Sequence, residues 1–250
     1  MTASERVIYH YLKPEYFLSI LKRKCFSLSS IHRLKKNKPD WREGTMFSES
    51  SNWTTKCDTF DLEPLFSCLF ISCWTSVKSD ELFIKRHFGD DDCIIIESTE
   101  DKFYKFTKKF LSYIKEINED NIIGYESISL FMKDIDYIPF SKLDEIRGSM
   151  RKGNEFIDST GHSHIEAFTK KEEGFSWEKE IRFIYSHPDT SDGISGRESL
   201  RIEMTDIDFK NTFQSISYTN NNNEIVEEIK HLMNEMHKDI PCNEIKRSQT

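Results

Sequence analysis

The segment Trp177-Glu178-Lys179-Glu180-Ile181-Arg182-Phe183-Ile184-Tyr185 constrains the fold more than any other stretch of the chain. Its β-formers and two-residue alternation predict a strand. Ile181, Phe183 and Tyr185 fall on one face, and Glu178, Glu180 and Arg182 on the other. Two carboxylates and a guanidinium are costly to bury without partners. Such a strand belongs at a solvated edge with cross-strand ion pairs, or in the wall of a site. Any fold adopted by this chain must provide one of these settings.

The chain is long enough, at 250 residues, for one good core or two small ones. Its 19 Phe, 9 Tyr and 4 Trp favour a folded globule over a disordered chain, despite a mean hydropathy of −0.61. No apolar run approaches the roughly 20 residues of a membrane span. Met1 to Arg6 lacks the charged region and apolar core of a signal peptide, so the expectation is a cytoplasmic protein with no membrane partner. None of the six cysteines forms a C-x-x-C pair, which favours buried reduced thiols over a zinc site. The net charge of −8 is unevenly spread. Eight basic residues and one acidic residue lie between Lys22 and Arg42, a local surplus of +7. A patch of that sign can hold phosphates, though lysines in a solvated loop read the same way.

Along the chain, Val7–Tyr11 reads as a strand, Pro14 opens a helix with Phe17, Leu18 and Leu21 inward, and Cys25–Ser29 reads as a second strand. Residues 31–62 have little periodicity and contain Trp41 and Trp53. Leu65–Trp74 is apolar enough for a strand buried on both faces. A helix is expected from Ser79 to Phe88, a short strand at Ile94–Ile96, and an amphipathic helix from Asp101 to Asn118. One or two strands are expected in 125–140, and a helix with a polar loop in 141–173. Strands at 200–204 and 213–218 and a helix from Glu224 to Met236 follow, and the tail after Pro241 is expected to fray. The expected fold is α+β. It is a single domain over 1–240 with a mixed or antiparallel central sheet and flanking helices, followed by the tail 241–250.

No glycine-rich phosphate loop, H-E-x-x-H or G-x-S-x-G occurs, and nine glycines leave little room for a phosphate cradle. His162, His164 and Glu166 have metal-compatible spacing but no further ligand cluster nearby, so no metal is expected. His10 sits mid-strand between two tyrosines, a place where histidine is more often a core residue than a catalyst. Ser72-Cys73-Trp74-Thr75-Ser76 offers hydroxyls beside an aromatic at the end of a buried strand.

The order of these pieces carries a resemblance. Tyr9-His10-Tyr11, then an Ile20-Leu21 helix, then Ser72-Cys73-Trp74-Thr75, then Trp177-x-x-Glu180-x-Arg182 resembles the bacterial family called domain of unknown function 2971, over residues 8–186. The chain departs from that pattern at Leu12, where the family has Thr, and at Asn37-Lys38-Pro39-Asp40, where it has Asn-Asp-Pro. A second, more distant resemblance is to the ADP-ribosyltransferase superfamily, whose chains order a strand His, a hydroxyl or aromatic on a middle strand, and an E-x-E strand in the same way. That resemblance implies a split-sheet fold and NAD as co-substrate. It implies Glu180 as the catalytic acid, Glu178 orienting the acceptor, and His10 holding the NAD ribose. Ser72 or Thr75 would line the nicotinamide pocket, with Tyr11, Trp74 and Arg182 beside the dinucleotide.

These implications give an enzyme that cleaves NAD and transfers ADP-ribose to RNA, DNA or protein, in the manner of a bacterial toxin or phage-defence effector with an inhibitory antitoxin. The acceptor would meet Arg33, Lys35, Lys36, Lys38 and Trp41 through phosphate contacts and stacking. The alternative is a non-enzymatic nucleic-acid or partner-binding module that uses the 22–42 stretch and leaves Glu180 irrelevant. A magnesium nuclease fits less well, because magnesium sites usually draw on Asp-rich sets.

Overall fold

The computed structural model describes residues 6–31, 69–78, 84, 88, 92–117, 129–143, 145, 165, 168–186, 199–219 and 224–245. The chain divides into two compact units, one formed by Met1–Ser27, Trp74–Ile122 and Arg201–Thr250, the other by Leu28–Cys73 and Ile123–Leu200. The α+β class with a mixed, mostly antiparallel sheet and flanking helices is present as expected.

In the first unit, β1 (Val7–Leu12) pairs antiparallel with β4 (Ile94–Thr99), with His10 opposite Ile96. On its other side Tyr9 pairs with Thr75, at the end of β3 (Leu69–Thr75). Beyond β4 lies β10 (Ser215–Tyr218), antiparallel, and then β11 (Cys242–Glu244), parallel. Residues 242–244 therefore extend the sheet rather than fray. The Ile216 N–H donates to Pro241 O and the Ile245 N–H to Tyr218 O, which holds this segment at both ends.

Both faces of this sheet are covered, which explains the apolar run Cys93–Ile96. On one face Tyr9, Ile84, Cys93 and Ile95 cluster, with Val7, Tyr11 and Phe88 against them. On the other face, β1 directs Ile8, His10 and Leu12 toward an aromatic core. There Trp74 lies 4.4 Å from Phe103, and Phe26 lies 5.2 Å from Phe103, between ring centroids. Phe103 and Phe106, three apart on α2 (Glu100–Ile117), are both buried, as residues one turn apart on a helix's inner side are. Helix α1 (Pro14–Arg23) starts on Pro14, buries Phe17, Ile20 and Leu21, and stops where Lys24 turns left-handed at φ 48°. The helix α4 (Glu224–Met236) buries Val226, Ile229 and Met233 and packs beside α1, with Lys22 2.7 Å from Glu228.

One short helix went unread in the sequence, α3 (Asp206–Thr212). Its signal was the pair Thr205 and Asp208. The Asp208 N–H donates to Thr205 Oγ1 at 3.1 Å, and the Thr205 N–H donates back to Asp208 Oδ2 at 3.0 Å.

In the second unit, β8 (Glu180–Ser186) pairs antiparallel along its length with β5 (Ser129–Asp134) and also pairs with β3. Every residue of β8 is buried. Ile181, Phe183, Ile184 and Tyr185 lie in the core, with the rings of Phe70 and Tyr185 6.2 Å apart. The solvated-edge option for this segment is thereby removed. The strand also begins three residues later than the alternation suggests: Glu173–Glu178 is a 3₁₀ turn, and Lys179 follows it at φ 42°. Beside β3, β2 (Cys25–Ser30) runs antiparallel with Ser29 opposite Ile71, and β9 (Ser199–Glu203) neighbours β2. A small parallel pair, β6 (Asp136–Ile138) and β7 (Lys170–Glu172), also belongs to this unit, with β7 where sequence suggests the end of a polar loop.

Candidate active site

Glu178, Glu180 and Arg182 meet in the second unit with a fourth charged residue, Lys171. Their exposures are 6%, 8%, 4% and 5% respectively, so the group is buried. Glu180 and Arg182 are two apart on β8 and share a face. Arg182 donates from Nε to Glu180 Oε1 at 2.7 Å and from Nη2 to Oε2 at 3.1 Å, while its Nη1 donates to Phe168 O at 2.7 Å. Lys171 reaches from β7 and donates to Glu180 Oε2 at 3.3 Å and to Glu178 Oε2. Two cations and two anions thus sum to zero, the condition under which burying charge is tolerable.

Neighbouring polar groups complete the arrangement. The Glu180 backbone N–H donates to Tyr137 Oη at 2.8 Å, and the Ile135 N–H donates to Glu180 O at 3.0 Å. The Cys73 thiol, from β3, donates to the Glu180 carboxylate. The Lys171 ammonium also lies 5.0 Å from the centre of the Phe175 ring.

The electrostatics separate the two glutamates. Burial pushes the Glu180 carboxyl up, but Arg182 and Lys171, with hydrogen bonds from Arg182 and Cys73, overcome this and hold it well below the usual carboxylate range. Burial also pushes Glu178 up, and there it outweighs the pull of Lys171. For Cys73, burial and then the Glu180 charge push the thiol up, which makes it a poor nucleophile. Burial pushes the Tyr137 phenol up in the same way. Glu180 is therefore a fixed anion, and an anion can stabilise positive charge developing on a bound ligand.

The other candidate residues distribute differently. His10 is half-buried, and its ring stacks on Trp74, with centroids 5.0 Å apart and planes 28° apart; Phe26 lies 5.7 Å away. Tyr11 and Thr75 lie on the other face of the first unit's sheet, the face of Tyr9. There the Tyr11 hydroxyl donates to Val77 O at 3.3 Å, and the Val77 N–H donates to Thr75 Oγ1 at 3.0 Å. The set grouped in sequence as His10, Tyr11, Trp74 and Thr75 thus splits into two pairs. Ser72 is buried on β3. Cys73 and Trp74, consecutive on that strand, point to opposite sides of it: Trp74 meets His10, and Cys73 meets Glu180. Arg182 directs its fork at the Glu180 carboxylate and at Phe168 O. Arg33, Lys35, Lys36, Lys38, Trp41, Trp53, His162, His164 and Glu166 lie outside the described residues.

Sequence reasoning missed Lys171, Tyr137 and Cys73. The usable signal was charge balance. Two acids and one arginine in one buried segment leave one negative charge over, so a second cation had to come from another element.

No protein-family model matches the chain, and no curated protein matches it. Among solved structures, Thermus sp. 2.9 DarT in complex with carba-NAD+ is similar at 8% identity and a TM-score of 0.35, covering 97% of this chain and 96% of that chain. Likeness at that level assigns this chain neither a family nor an activity. Among the described residues, no helix is long and apolar enough to cross a membrane.

Proposed function

We propose that the chain is an ADP-ribosyltransferase-like enzyme that consumes NAD, with Glu180 as its catalytic carboxylate. One observation carries the reading. The glutamate that the E-x-E pattern singles out is a buried anion, held by Arg182 and Lys171. Breaking the bond between ribose and nicotinamide sends the bonding electrons to nicotinamide and leaves positive charge on the ribose. A fixed carboxylate opposes that charge without having to reorganise. The acceptor's nucleophile then bonds to the ribose and loses its proton to water, with Glu178 orienting it. The acceptor is a macromolecule, with nucleic acid favoured by the basic stretch from Lys22 to Arg42.

The test is nicotinamide release from NAD, with RNA, DNA or protein added, by wild type and Glu180→Gln. The reading predicts release by wild type and a fall on the order of hundredfold or more in the variant. Failure of wild type to turn over or bind NAD with every acceptor would sink it.

A second reading is favoured by the occupancy of the glutamate itself, since both Glu180 oxygens already accept hydrogen bonds. In it the quartet only pins β7 and the 3₁₀ turn to β8, and the chain works as a binding module. Glu180→Gln would then lower thermal stability while leaving nucleic-acid binding intact in the surviving folded protein.

A further inference from the structure

We propose that Lys171 is a positioning residue, whose ammonium holds the carboxylates of Glu178 and Glu180 together as a jointly ionised pair. The functional consequence rests on the reading of Glu180 as the carboxylate that faces NAD; the structural role does not.

The placement of Lys171 is specific. β6 and β7 run parallel with Tyr137 opposite Lys171, and both residues reach Glu180. Tyr137 takes its backbone N–H and Lys171 its carboxylate. The Asp136 N–H donates to Thr169 O at 2.7 Å, which fixes β7 just before Lys171. Lys171 touches both glutamates, through Glu178 Oε2 and Glu180 Oε2. Arg182 engages Glu180 along the strand. Among the described residues, the titratable and charged groups facing the pair are Lys171 from β7, Tyr137 from β6, Arg182 from β8 and Cys73 from β3. Tyrosine and cysteine are neutral here, so removing the lysine leaves two buried carboxylates sharing one guanidinium. Buried carboxylates that share one ammonium do not both stay ionised once it is gone, and the pair takes up a proton. A proton there cancels the negative charge that the proposed reaction uses.

The experiment is a pH titration of the glutamate carboxyl carbons by carbon-13 NMR on the full chain, with Glu178→Gln and Glu180→Gln used to assign the two signals. In Lys171→Met, one proton should stay on the pair to a pH roughly 1–3 units higher than in wild type. Lys171→Arg should restore the wild-type titration. A folded Lys171→Met that titrates like wild type overturns the proposal. Should Lys171→Met not fold, the charge-balanced double variant Lys171→Met/Glu178→Gln decides. It should be more stable than Lys171→Met, and equal or lower stability overturns the proposal. Nicotinamide release measured in parallel separates the two ideas. Its acid limb should move upward with the titration, whereas no release from wild type removes the transferase reading and leaves the titration result standing.

Discussion

Arg182 grips Glu180 along a single strand, through Nε at 2.7 Å and Nη2 at 3.1 Å to opposite carboxylate oxygens. A bidentate pair between residues two apart requires both side chains to leave the same face of β8 and bend toward each other. Its third donor ties Phe168 O to the same guanidinium, so the loop before β7 is pinned as well. Arg182→Met strands the Glu180 charge with only Lys171 as a cation. Breaking a buried pair from one side costs about 3–5 kcal/mol. Urea unfolding should show a loss of that size, whereas Arg182→Lys, which lacks the fork, should recover only part of it.

The two glutamates give opposite pH dependence. Glu180 has a lowered folded pKa, so its contribution to stability is present above the unfolded carboxylate pKa of about 4.3 and is lost as pH falls toward the folded value. Glu178 has a raised folded pKa, so its contribution is greatest at low pH and declines as pH rises from about 4.3 through the folded value. Urea midpoints measured from acid to neutral pH should therefore separate the variants. The stability of wild type relative to Glu178→Gln should shrink with rising pH, and relative to Glu180→Gln it should grow.

Lys179 adopts φ 42° between the 3₁₀ turn and β8 without being glycine. That conformation costs a residue with a Cβ about 1–2 kcal/mol. Lys179→Gly relieves it and loses part of the gain to unfolded-chain entropy, a net rise of about 0.5 kcal/mol. Lys179→Val should instead lower stability, since a branched side chain tolerates this region least. Thermal melts of the two variants should fall on opposite sides of wild type.

His10 combines a stacking contact with Trp74 and a proposed role toward the NAD ribose. His10→Phe keeps an aromatic ring on Trp74, so its melting temperature should stay near that of wild type. His10→Ala should lose about 0.5–1.5 kcal/mol of aromatic contact. If His10 holds the ribose, the Phe variant should raise the KM for NAD while remaining as stable as wild type. Equal KM in wild type and His10→Phe would confine this histidine to packing.

Cys73 donates its thiol to Glu180 and stays protonated. Iodoacetamide should modify it roughly tenfold or more slowly than a model thiol at neutral pH. In Glu180→Gln the neighbouring charge is gone, and labelling should accelerate.

Much of this architecture was legible in the residues. The alternation and apolar runs of Val7–Tyr11, Leu69–Trp74 and Ile94–Ile96 marked strands, and the spacing of Phe103 and Phe106 marked a helix, because these patterns are imposed by local backbone geometry. The resemblance of the ordered motifs likewise drew Glu178, Glu180 and Arg182 into view together. Three things were beyond local pattern. Cys242–Glu244 forms a strand through pairing with β10, a long-range contact that no propensity announces. The 3₁₀ turn over Glu173–Glu178 replaces the first residues of the expected strand, because the left-handed Lys179 delays β8 until Glu180. Lys171 reads as one more surface lysine in a polar stretch, and only the pairing of β6 with β7 brings its ammonium to both glutamates. The sequence by itself determined which charges had to be accommodated. The tertiary structure decided that they are buried and neutralised rather than solvated, since a buried charge finds its counterion through packing across elements distant in the chain.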